Sequence, residues 1–249
     1  MLTWIILGLS GFAAGVINAV AGGGSLVSFP ALLHTGMGAR IANATNTAAI
    51  WPGTVSSVYA YRETIALERH RALVLTVPCL LGGVAGAFIL LHTPERAFRA
   101  LVPWLILLAC ALLGLQGPVA RFVAQRTGSS AARVPAALIA VQFLISLYGG
   151  YFGAGIGIMM LAAMAILIPH GLPAANGLKV LFGCIINGIS AVYFLLAGAV
   201  RLPQAGVMMV TSVAGGFVGA RLAQKLPAKA LQAVVIAYGL IVAAKLFIG

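Results

Sequence analysis

The stretch Gly15-Val16-Ile17-Asn18-Ala19-Val20-Ala21-Gly22-Gly23-Gly24-Ser25 ends one apolar run and begins another. The first run is Leu2–Val20 and the second, shorter one is Ser25–Thr35. A triple glycine between two apolar helical runs is a break. A break at membrane depth frees N–H and C=O groups that lipid cannot bond, so it is tolerated only where it packs in protein or lines a cavity. A second break, Gly153-Ala154-Gly155-Ile156-Gly157, separates the runs Pro135–Phe152 and Ile158–Pro169.

The two breaks are related by a constant shift. Adding 133 to a first-half position carries Gly22 to Gly155, Gly24 to Gly157, Asn43 to Asn176, and Pro94 to Pro227. It also carries Gly82-Gly83-x-x-Gly86-Ala87 onto Gly215-Gly216-x-x-Gly219-Ala220. The pattern predicts two homologous membrane repeats, 1–115 and 135–249, joined by a linker over 116–134. The later apolar runs are Ile41–Tyr61, Leu73–Leu91 and Phe98–Leu115, matched by Leu172–Leu196, Gln204–Gln224 and Leu231–Phe247. The expected fold is an all-α integral membrane protein of 8–10 transmembrane segments, about five helical segments per repeat, with glycine-broken helices at its centre. A broken pair of about 35 residues spans roughly 50 Å at 1.5 Å per residue, more than the ~30 Å of one crossing. A hairpin is therefore expected, which makes the crossings per repeat odd and the repeats inverted.

Composition excludes most other classes. Only 7% of the 249 residues are charged and 62% are hydrophobic, against about 25% charged in a soluble domain. Lys and Arg number 15 and Asp and Glu 3, but the basic residues sit between apolar runs, as topology determinants do, so no nucleic-acid partner is expected. With an external N-terminus, nine basic residues fall on the cytoplasmic side and five outside. Cys79, Cys110 and Cys184 stand singly inside apolar runs, as small hydrophobes. Glu63, Glu68 and Glu95 all lie in gaps between spans. That removes an intramembrane carboxylate relay and leaves an enzyme without a nucleophile–base pair or metal cluster. No cofactor is called for. The expected partners are the lipid bilayer and a small anion, and the chain is compatible with a homo-oligomer.

Paired glycine interruptions in two halves are the sequence mark of a transporter's substrate site. Each short helix would begin after its glycines and aim free N–H groups and a positive dipole end at the break. The substrate candidates there are Asn18, Gly22, Gly23, Gly24, Ser25, Gly153, Gly155 and Gly157. Glycines that only admit close helix packing are the plainer reading, preferred for 82–87 and 215–220. A second constellation opens the third run of each half, with Asn43, Asn46 and Thr47 in one and Asn176 and Lys179 in the other. A spacing of three places each pair on one helical face. Lys179 is the one basic residue well inside a span, where it either compensates an anion or snorkels to an interface. Asn187, Gln142, Tyr148 and Tyr151 are weaker candidates.

The glycine break followed by Pro30, the segment Asn43-Ala44-Thr45-Asn46-Thr47, the second copy ending Gly177-Leu178-Lys179, and the matched halves together resemble the TauE/SafE family of sulfite exporters. The resemblance covers essentially the whole chain. It implies an inner-membrane permease for sulfite or a related anion such as an organosulfonate or sulfoacetate. The second break departs from the first, with Ile156 and Ile158 standing opposite Gly23 and Ser25, which bears on the symmetry of the site. The expected function is secondary transport of a small sulfur-containing anion by alternating access. A non-transporting scaffold subunit and a permease for another anion, such as a carboxylate, are the alternatives.

Overall fold

The computed structural model describes residues 1–20, 23–125, 134–167, 172–222 and 228–248. Those residues form eleven α-helices: α1 Leu2–Val20, α2 Ser25–Leu33, α3 Ala39–Ala60, α4 Arg62–Leu67, α5 Arg69–His92, α6 Glu95–Gln125, α7 Ala136–Tyr151, α8 Ile156–Leu167, α9 Leu172–Leu196, α10 Leu202–Leu222 and α11 Ala228–Ile248. Five helices, α5, α6, α9, α10 and α11, contain stretches long and apolar enough to cross a bilayer. Large apolar side chains such as Leu73, Leu81, Phe88, Leu108, Val210, Phe217 and Ile241 are exposed on them. In water such a surface would aggregate; in lipid it is the solvated face.

Helix α3 has the length of a span but not its composition. It carries Asn43, Thr45, Asn46 and Thr47, all buried. Its neighbours are α2, α9 and α10, so its surface meets protein and its polar groups find partners there.

Contacts fix the relative directions of the helices. Gly24 lies against the Ala14 carbonyl and Asn18, so α2 turns back along α1. The Ile156 side chain lies against Gly149, so α8 turns back along α7. Both breaks are hairpins, as the length of the broken pairs requires. Trp51 of α3 lies on Gly188, and Arg201, just past the end of α9, donates its N–H to Thr45 near the start of α3, so α3 and α9 run antiparallel. Gly11 meets Met208 while Gly15 meets Ser212 and Gly216, which makes α1 and α10 parallel. Gly82 meets Phe143 and Ser146 while Gly86 meets Leu147 and Tyr151, which makes α5 and α7 parallel. The pairing is reciprocal: α1 packs on α10 as α7 packs on α5, α10 on α3 as α5 on α9, and α2 on α11 as α8 on α6. Each half thus closes on the other.

Glycine makes the α1–α10 and α5–α7 contacts possible. A Cβ at Gly82 would lie 2.6 Å from the Phe143 carbonyl oxygen, and one at Gly150 would lie 3.0 Å from the Ala87 nitrogen. The glycines at 82–86 and 215 therefore serve packing, the reading preferred for them. They admit backbone-to-backbone approach, which drives helix association in lipid, where the hydrophobic effect does not.

Two sequence boundaries moved. Helix α6 runs to Gln125, ten residues beyond Leu115, through Gly117 and Pro118. Its last turns are held by tertiary contacts: Val123 is buried among Leu75 and Leu138, and Gln232 donates to the Gln116 amide oxygen at 2.8 Å. Much of the expected linker is thus helical, and residues 126–133 lie outside the described part. The gap after α3 also folds, as the six-residue α4, which packs on α9.

The N-terminus of α3 shows how a charge at the membrane edge is used. Glu95, in the first turn of α6, accepts from the Ala39 and Arg40 N–H groups and from Arg40 Nε at 3.2 Å. A carboxylate there answers both orphan donors and the dipole. Glu95→Ala is expected to lower stability by about 1 kcal/mol, the usual worth of a helix cap; thermal unfolding in detergent reads it.

Candidate functional site

The turn in each hairpin is built on left-handed glycines: Gly23 at φ 88°, Gly153 at φ 83° and Gly155 at φ 84°. A Cβ in that region costs roughly 1–2 kcal/mol. Both turns rest on the same place on α6. A Cβ at Gly23 would lie 3.3 Å from Leu113 Cδ2, and one at Gly155 would lie 2.9 Å from Leu112 Cδ1. Leu112 and Leu113 are consecutive, so the structure brings the two breaks together. Phe29 of α2 and Phe152 at the second break close the space with edge-to-face rings 5.7 Å apart.

In the first half the polar groups answer one another. Asn18 Oδ1 accepts the Gly24 N–H at 2.8 Å. Ser28 Oγ lies 2.5 Å from Asn46 Oδ1 and 3.2 Å from the Gly24 carbonyl. Thr47 donates back to the Asn43 carbonyl at 3.1 Å. Asn43 crosses to the other half, where its Nδ2 donates to the Tyr151 carbonyl at 2.9 Å and holds the end of α7. Ser25 is the first residue of α2, and Gly22 lies outside the described residues.

The second half is different. Gly157 belongs to the first turn of α8, which starts at Ile156, two residues earlier than the apolar pattern indicates. Tyr148 donates its hydroxyl to the Ala154 carbonyl at 2.8 Å and fixes the turn. The N–H groups of Ala154, Gly155 and Gly157 meet no acceptor among the described residues. The Lys179 stem covers Gly157, since a Cβ there would lie 3.1 Å from Lys179 Cδ. Asn187, two turns further along α9, places Oδ1 near Gly153, while its Nδ2 donates to the Gly183 carbonyl at 2.8 Å. Asn176 is half-buried on α9, one turn before Lys179, with no side-chain partner among the described residues.

Lys179 is half-buried and makes no hydrogen bond or ion pair among the described residues. Each of the three glutamates is paired at a helix end: Glu95 with Arg40 at 3.2 Å, Glu63 with Arg62 at 3.4 Å, and Glu68 with Arg71 at 2.5 Å. A lysine inside a span costs about 2.5–3.5 kcal/mol at a helix centre. Here it stands beside a helix start with free donors.

Sequence reading missed Ser28 as the partner of Asn46, and Leu112 and Leu113 as the platform under both turns. Ser28 carried a signal, a hydroxyl in an otherwise apolar helix. The leucines carried none. Gln142 is fully buried, with Nε2 at 3.2 Å from Cys79 Sγ and 3.4 Å from Ser146 Oγ. It belongs to the α5–α7 contact and not to the breaks.

Apolar helices of spanning length and two glycine-turned hairpins that meet on α6 are the architecture of a multi-pass membrane protein. The family model of the sulfite exporter TauE/SafE family matches residues 7–246, and the chain belongs to that family. A probable membrane transporter protein of Haemophilus influenzae is 29% identical over 221 residues, 87% of this chain and 84% of that protein. The probable membrane transporter protein YfcA of Escherichia coli K12 is 26% identical over 250 residues, covering 99% and 91%. The probable membrane transporter protein ORF9 of a Sinorhizobium species is 26% identical over 240 residues, covering 96% and 90%. No solved structure matches the chain significantly.

Proposed function

We propose that this membrane transporter carries a small sulfur-containing anion, sulfite or an organosulfonate, across the cytoplasmic membrane by alternating access. The anion sits at the second break, bonded by the Gly155 and Gly157 N–H groups and by Lys179. The observation that carries this is the unanswered positive charge. The Lys179 stem lies over Gly157, beside three backbone N–H groups that meet no acceptor among the described residues, and the three glutamates are paired elsewhere. A helix start with free N–H groups is a natural anion seat, and a broken helix at depth is where secondary transporters hold substrate.

The reciprocal packing supports alternating access. The matched halves, 1–115 and 135–249, are a duplicated and inverted pair in this account, supported by the constant offset and the antiparallel α3 and α9. Two near-equivalent packings of the pair then open the site to opposite faces. The substrate class rests on the family and on a seat built for a compact anion.

Melting purified protein against sulfite, sulfate, thiosulfate, taurine and sulfoacetate tests the reading. A ligand bound by the folded state alone raises stability by about 2.7 kcal/mol at one hundred times its Kd. A selective upward shift with sulfite or a sulfonate is expected. A uniform response to all five, or to none, would contradict it and leave a scaffold role.

A further inference from the structure

A cleft of about 220 Å³ opens at the end of the molecule where α3 begins. Thr35 and Met37 of the α2–α3 connection, Ile41 of α3, and Arg201 and Gln204 at the start of α10 line it. Arg201 is exposed, and its guanidinium makes no hydrogen bond or ion pair among the described residues. Its backbone N–H donates to Thr45 Oγ1 at 3.1 Å, and Thr45 is fully buried. The cation is therefore carried on a pinned backbone at the wall of an open cleft.

Of the other charges at this end, Arg96 and Arg99 of α6 are exposed and do not line the cleft. Glu95 is engaged by the α3 N-terminus and by Arg40, and Arg40 also donates to the Leu91 carbonyl at 2.7 Å. Arg201 is left as the unanswered charge of the cleft. Liquid water takes about 30 Å³ per molecule, so the space admits one oxyanion with several waters. Below the cleft, α3 continues from Ile41 to Asn43, which holds the end of α7 beside the second break.

We infer that this cleft recruits the transported oxyanion on the face where α3 begins, ahead of the Lys179 seat. The inference rests on the transport reading. An exposed guanidinium in a wet cleft binds weakly and acts by concentrating anions at the mouth, an effect that added salt screens. It raises the rate of capture from one face and leaves the passage step untouched.

The test is sulfite flux through Arg201→Gln and Arg201→Lys in phosphatidylcholine proteoliposomes, with anion supplied in turn to each face. For Arg201→Gln, KM from the α3 face should rise about 10-fold, the low end of what charge steering provides. Maximal flux and the KM from the opposite face should stay at wild-type values. Molar salt should erase the difference, and Arg201→Lys should keep most of the wild-type KM. An unchanged KM, or an equal rise from both faces, would overturn the recruiting role. So would an effect that appears only with phosphatidylglycerol in the vesicles, which would assign Arg201 to a lipid headgroup. Absence of flux in the wild type would instead overturn the transport reading.

Discussion

Lys179→Met is expected to weaken anion binding about 10- to 100-fold, the worth of one charge-assisted hydrogen bond of roughly 1.5–3 kcal/mol. The same variant should melt no lower than wild type in the absence of anion. The two effects oppose each other because the lysine has no partner among the described residues. Removing an unpaired charge from a span relieves its burial cost, while the methionine keeps the stem over Gly157. Lys179→Arg keeps the charge and should retain part of the binding. If Lys179→Met instead melted well below wild type and still bound sulfite normally, the lysine would be a structural or interfacial residue.

The second large effect is on folding. Gly15→Ala and Gly86→Ala should each cost about 3 kcal/mol, the upper end for overpacking, and sharply reduce the yield of folded protein. A Cβ at Gly15 would fall on the Ser212 carbonyl and 2.7 Å from the Gly216 nitrogen. One at Gly86 would fall on the Leu147 carbonyl and 2.7 Å from the Tyr151 nitrogen. Backbone cannot move aside as a side-chain tip can, so α1 must leave α10 and α5 must leave α7. Gly183→Ala and Gly206→Ala are the controls. Nothing lies within 4 Å of a Cβ at either position, and alanine inside a helix gains up to about 1 kcal/mol over glycine. Equal melting of all four variants would mean that the helices do not meet at backbone distance.

The sequence signals that succeeded were the ones the bilayer enforces. Spanning runs, the turn from α1 back into α2 and its counterpart between α7 and α8 follow from the cost of unbonded backbone in lipid. The packing role of Gly82 and Gly86 followed from their spacing. What could not be read was the division of labour between the halves. The offset pairs Asn46 with Lys179 and suggests equal roles, yet Asn46 is bonded by Ser28 while Lys179 has no hydrogen-bond partner among the described residues. Likewise Asn18, offered as a substrate contact, gives its amide oxygen to the Gly24 N–H. Only the fold shows which polar groups spend their hydrogen bonds on each other. The extension of α6 through Pro118 was hidden for a similar reason: Val123 is held by residues of another helix.

The account stands on an anion held between Lys179 and the start of α8. Crystals grown with selenite, an analogue of sulfite whose selenium scatters anomalously, test it most directly. The account predicts a selenium peak with its oxygens about 3 Å from Lys179 Nζ and from the Gly157 nitrogen. A peak elsewhere, with Lys179 Nζ bonded to a protein carbonyl and the Gly157 N–H answered from within the chain, would contradict it.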